Sequence, residues 1–109
     1  MNNNYTTTEQ SDRLINAGVP ASSADCYFYT KADKQPKILT TDKFDWLESP
    51  YIPCWSVGRL QEIAKICAKE KEYYYASLDI VAHQEDFVEW WVKYFTFTYN
   101  VLFDFSKLD

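Results

Sequence analysis

Glu72-Tyr73-Tyr74-Tyr75-Ala76-Ser77-Leu78-Asp79-Ile80 and, after a short polar turn, Phe87-Val88-Glu89-Trp90-Trp91-Val92-Lys93-Tyr94-Phe95-Thr96-Phe97-Thr98 hold much of the chain's aromatic mass. In the first segment Tyr74, Ala76, Leu78 and Ile80 fall on one side of a two-residue repeat, and Tyr73, Tyr75, Ser77 and Asp79 on the other. The second segment can be read two ways. A helical reading aligns Phe87, Trp91, Tyr94, Phe95 and Thr98, whereas an extended reading puts Phe87, Trp91, Phe95 and Phe97 on a face with Glu89 and Lys93. Its residues are Val, Trp, Tyr, Phe and Thr almost throughout, types that pack well on a pleated surface. The expectation is therefore a C-terminal antiparallel meander with strands at 72–82, 87–98 and 101–105, joined through the polar turn His83-Gln84-Glu85-Asp86.

Upstream, local signals are stronger. Ser56 is a good N-cap, and Trp55 with Leu60 has the spacing of a hydrophobic staple. Val57, Leu60, Ile63, Ala64 and Cys67 recur at three- and four-residue steps, which predicts a helix over 56–69. Lys65, Lys69 and Lys71 near its end suit the macrodipole. Thr6 with Glu9 and Thr7 with Gln10 offer overlapping capping boxes; Gly18 and Pro20 supply the stop. These signals predict a first helix over 7–17. Residues 25–30 and 37–40 read as a short hairpin, Phe44 to Leu47 as one helical turn, and 49–53 as extended between two prolines. The expected architecture is a single α+β domain over 1–109, two helices packed on an antiparallel sheet.

With 47% hydrophobic and 18% aromatic residues, the 109-residue chain has the apolar mass for one core and is not of disordered composition. Residues 1–55 hold 5 basic and 7 acidic groups and residues 56–109 hold 6 and 9, so neither half is a cationic surface. Affinity for nucleic acid rests largely on cations that neutralise phosphates, and anionic membranes need the same charge. Neither partner is expected. The polar start Met1-Asn2-Asn3-Asn4-Tyr5 lacks the regions of a signal peptide, and no apolar run has the length of a span. A cytoplasmic location with reduced thiols is the expectation.

Cys26, Cys54 and Cys67 form no CxxC pair, and with His83 the only histidine they lack metal-ligand spacing. No metal or cofactor is expected. Cys54 is the sharpest chemical candidate, since a thiol beside a helix N-terminus can be acidified. Trp55, Asp25 and His83 are the accompanying ligand-binding candidates, although no spacing brings His83 to Cys54. Glu85, Asp86 and Glu89 read as a solvated acidic turn rather than an acid–base pair. Tyr73, Tyr75, Trp90 and Trp91 are the candidate interface, because Tyr and Trp anchor binding hot spots.

The stretches Tyr5-Thr6-Thr7-Thr8-Glu9-Gln10-Ser11, Ser23-Ala24-Asp25-Cys26-Tyr27 and Pro53-Cys54-Trp55-Ser56-Val57-Gly58-Arg59-Leu60 together resemble small uncharacterised proteins of gut Bacteroidetes and their phages or mobile elements. The likeness covers roughly residues 5–65, and Asp104 to Leu108 more loosely. It implies a prophage or mobile-element context and carries no activity. The resulting expectation is a non-enzymatic accessory or protein-interaction domain, binding a partner or a second copy. The alternative is small-ligand binding or a thiol-dependent activity centred on Cys54.

Overall fold

The architecture is α+β, and its sheet is built from the N-terminal half. The computed structural model describes residues 4–39, 50–98 and 102–108. Among these are helices α1 (Thr8–Ala17), α2 (Val57–Cys67), α3 (Lys71–Ala82) and α4 (Phe87–Thr98), and strands β1 (Cys26–Phe28), β2 (Lys37–Ile38) and β3 (Ile52–Cys54). The sheet is antiparallel with β1 in the centre, in the order β2-β1-β3.

The upstream caps form as their chemistry requires. The Thr7 hydroxyl accepts from the Gln10 amide at 3.1 Å, and Gln10 returns an acceptor to the Thr7 amide at 2.9 Å. Of the two overlapping boxes, the Thr7 pair is thus the one realised, and Thr6 is released for another role. Gly18 closes α1 at φ 106°, a left-handed conformation that glycine adopts without Cβ strain. Ser56 caps α2, its hydroxyl accepting from the Arg59 amide at 3.1 Å. The expected hairpin is present as β1 and β2, and the proline-held segment before Ser56 supplies β3. The expected turn at 44–47 lies outside the described residues.

The expected meander is corrected. Residues 72–82 and 87–98 are helices, and the third strand of the sheet is β3 instead. Burial gives the reason. Val88, Trp91, Val92 and Phe95 are all buried, at helical steps of three, one and three. On α3 the buried Ser77 and Val81 align with half-buried Tyr74 and Leu78 in the same spacing. An extended α4 would place Trp91 and Phe97 on one face, yet Trp91 is 1% exposed and Phe97 is 88% exposed. Strand propensity has yielded to a face that can be buried, the usual outcome when tertiary packing competes with local preference. Asp86, read as part of a turn, caps α4 by accepting from the Glu89 amide at 2.9 Å. Over 102–105 the expected last strand is likewise replaced. Phe103 makes one bridge to Ala68, and Phe105–Leu108 is a 3-10 turn.

Two cores result. The larger gathers Leu14, Trp55, Leu60, Ile63, Trp91 and Phe95 with their neighbours between the helices. Phe95 lies at its aromatic centre, edge-on to Phe103 at 5.1 Å and Phe105 at 5.6 Å, and stacked near Trp91 at 5.6 Å. The smaller lies on the sheet: Cys26, Phe28 and Cys54, flanked by Tyr5 and Ile52.

Candidate functional site

The three quoted stretches of the N-terminal half, far apart in the chain, meet in one buried junction. Thr6 is its hub. Its amide donates to the Trp55 carbonyl at 2.9 Å, and its hydroxyl accepts from the Trp55 amide at 3.0 Å. Ser11 spends its hydroxyl proton on the Thr7 carbonyl at 2.8 Å, so the Thr6 hydroxyl is the donor in the 2.8 Å contact between the two side chains. The Cys54 thiol donates back to the Thr6 carbonyl at 3.3 Å. The Trp55 indole donates to Ser23 Oγ at 3.0 Å, and Ser23 passes its proton to the Pro20 carbonyl at 2.6 Å. Asp25 accepts from the Ser56 amide at 2.9 Å and the Ser56 hydroxyl at 2.6 Å. Arg59 Nε donates to the Ser23 carbonyl at 2.7 Å. Each of these buried donors has an acceptor, as a low-dielectric interior demands.

Of the site residues expected from sequence, Asp25, Cys54 and Trp55 are brought together here, and His83 is not. Cys54 and Trp55 are both 0% exposed. His83 stands exposed at the end of α3, its Nε2 3.8 Å from Asp79. There it borders a groove of about 360 Å³ beside Glu85, Trp90 and Lys93. The Cys54 sulfur is thus held by Thr6, whose carbonyl accepts from the thiol at 3.3 Å and whose hydroxyl stands 3.7 Å away, and not by His83. Its cross-strand neighbour is Cys26. Hydrogen bonding to Cys54, burial and the nearby charges of Cys54 and Asp25 raise the Cys26 thiol far above the ordinary thiol range. The third thiol, Cys67, is pushed up to about 11, mainly by burial.

The acidic turn is also committed to structure. Glu89 takes two contacts from Arg13, at 2.6 and 3.1 Å, and one from Gln10 at 3.3 Å, tying α1 to α4. Of the expected interface, Trp91 is in the core and Tyr75 is 63% exposed. Tyr73 and Trp90 are half-buried. The correction concerns Trp91 above all: the helical stripe turns its ring inward.

A different aromatic surface emerges on the sheet. Cys26, Phe28 and Cys54 face the small core, so Tyr27 and Tyr29, alternating with them, face outward. Tyr51, just before β3, joins them. Tyr27 stacks on Tyr51 at 5.1 Å, and Tyr29 stands edge-on to Tyr27 at 5.5 Å and to Tyr51 at 5.1 Å. A hydrogen bond with Tyr29, then burial, raises the Tyr27 phenol above its ordinary pKa. Lys37 is directly opposite Tyr27 in the β1–β2 register and so shares this face. Lys31 and Lys34 are exposed in the connecting loop. The loop's one acid, Asp33, is turned into it, accepting from the Tyr29 and Thr30 amides at 2.8 and 3.2 Å and the Thr30 hydroxyl at 3.1 Å. An acidic protein thus carries a tyrosine cluster with Lys37 on its face and two exposed lysines in the adjoining loop.

Among the described residues no helix is long and apolar enough to cross a membrane, and no group of three or more His, Cys, Asp or Glu side chains is placed to hold a metal ion. In comparisons of the whole chain, no family model, no curated protein and no solved structure matches.

Proposed function

We propose that the protein is a non-enzymatic interaction domain that binds an acidic segment of a partner protein through the tyrosine and lysine surface of its sheet. The accessory role in a prophage or mobile-element setting, implied by the resemblance of its N-terminal half, is part of the same proposal. The observation that carries it is the cluster of half-buried Tyr27 and Tyr51 with exposed Tyr29 on the outer face of the sheet, with Lys37 opposite Tyr27 in register and Lys31 and Lys34 exposed in the adjoining loop. Three rings packed against one another lose little further conformational entropy on binding, and Tyr29 remains 47% exposed. The lysines select the sign of the partner, because complementary charge steers encounter and rejects cationic alternatives. Charge also speaks against a two-fold dimer through this face, which would set the lysines of two copies against each other. The commitment of Asp25, Cys54 and Ser56 to internal bonds favours a binding role over a thiol-dependent one.

Selection of random displayed peptides on the immobilised chain tests this. Asp- and Glu-rich sequences are expected, with binding weakened by salt and lost in both Tyr29→Ala and the triple variant K31E/K34E/K37E. Peptides without acidic bias, or binding that survives charge reversal, would refute the reading. Preferential binding of single-stranded DNA at the same lysines would assign the surface to nucleic acid instead.

A further inference from the structure

We propose that Cys26 and Cys54 are a reversible disulfide site, in which exchange with a low-molecular-weight disulfide converts the two thiols into one cystine that ties β1 to β3. The register carries the proposal. The two residues are direct partners in the antiparallel β1–β3 pair, so their side chains leave the same face of the sheet. Directly opposed residues in such a pair have Cα atoms about 4.5 or 5.5 Å apart, and both spacings fall within the roughly 4.4–6.8 Å that a disulfide spans. Both residues belong to the small sheet core, where the Cys26 thiol donates to Asp25 Oδ1 at 3.5 Å and the Cys54 thiol to the Thr6 carbonyl at 3.3 Å. Cys67 belongs to the helical core, at the end of α2, and does not compete.

The chemistry balances with a named oxidant of the glutathione disulfide class. One cysteine thiolate attacks a sulfur of the small disulfide, forming a mixed disulfide and releasing one small thiol. The second cysteine, also as thiolate, attacks the protein-side sulfur and expels the other small thiol. Two protein thiols are oxidised, one small disulfide is reduced, and the two protons end on the two small thiols. Burial and the suppressed acidity of Cys26 keep the closed pair unreactive, so exchange proceeds as β1 and β3 part. The product staples strands whose opposite face bears Tyr27 and Tyr29, and it closes the loop from 26 to 54. The proposal does not depend on what that face binds.

The full chain should be equilibrated in glutathione buffers of rising oxidised fraction, acid-quenched, unfolded, alkylated with N-ethylmaleimide and mapped by mass spectrometry. The expected product is monomeric, lighter by two hydrogen atoms before alkylation, with the peptides of Cys26 and Cys54 linked and Cys67 alkylated. It should melt at least ~10 °C above the reduced chain, because the cross-link constrains the unfolded state. Cys67→Ala should behave identically, whereas Cys26→Ser and Cys54→Ser should each abolish the internal bond. Three alkylated thiols at every buffer ratio, glutathione adducts without an internal bond, or a link to Cys67 would each overturn the proposal. These outcomes are read on the wild-type chain and stand even if a serine variant does not fold.

Discussion

Ser56 accepts a hydrogen bond from the Arg59 amide and gives its own proton to Asp25, so one hydroxyl both starts α2 and holds β1 beside it. Removing it should cost about 1–2 kcal/mol, the range for a lost N-cap with a second partner left behind. Urea unfolding of Ser56→Ala should show that loss, while Ser22→Ala, at an exposed serine, should change stability by less than about 0.5 kcal/mol. Equal effects would mean that the cap carries no weight. The capping half of this arrangement was legible in the sequence, because an N-cap and its amide lie three residues apart. The Asp25 half was not, because 31 residues separate the partners and no short-range rule relates them. Cys54 illustrates the same limit. Its place before α2 was evident, but the carbonyl that receives its proton comes from Thr6, 48 residues away.

At the level of elements, α4 is where local preference and the folded structure part most. Its residues favour strands one by one, and the two-residue repeat joining Trp91, Phe95 and Phe97 was there to be seen. The helical repeat was present as well, in Val88, Trp91, Val92 and Phe95, with Asp86 and Glu89 spaced as cap and first-turn acid. The two readings differ sharply in where they place Phe97. In the helix, Phe95→Ala empties the centre of the aromatic core and should cost about 3–5 kcal/mol. Phe97→Ala, at an exposed position, should cost less than about 0.5 kcal/mol. Comparable losses on chemical denaturation would put both rings on one buried face and contradict the helix.

Across the whole molecule, the N-terminal segment binds the sheet and α2 through the junction, α1 is tied to α4 by Arg13 and Glu89, and the C-terminal turn returns to α2. Hydrogen exchange should report this hierarchy. The Thr6 and Trp55 amides, sealed in the junction, are expected to exchange only with global unfolding. The Tyr29 and Thr30 amides, held by Asp33 in an exposed loop, should exchange by local opening and orders of magnitude faster. Uniform protection of the two sets would show that the junction does not anchor the fold. By itself, the sequence determined the α+β class, the two upstream helices with their caps, the hairpin, and the extended entry to α2. The caps rest on contacts within a few residues of the chain and the hairpin on one short connection, whereas the class holds although the sheet is not the expected C-terminal one. Only the tertiary structure decided that the C-terminal aromatics coil into helices, since burial of a continuous face outweighs strand propensity. It also decided that Thr6, Asp25 and Cys54 share one site and that Tyr51 completes the outward cluster. Those meetings depend on how β3 is laid against β1, which no local periodicity specifies.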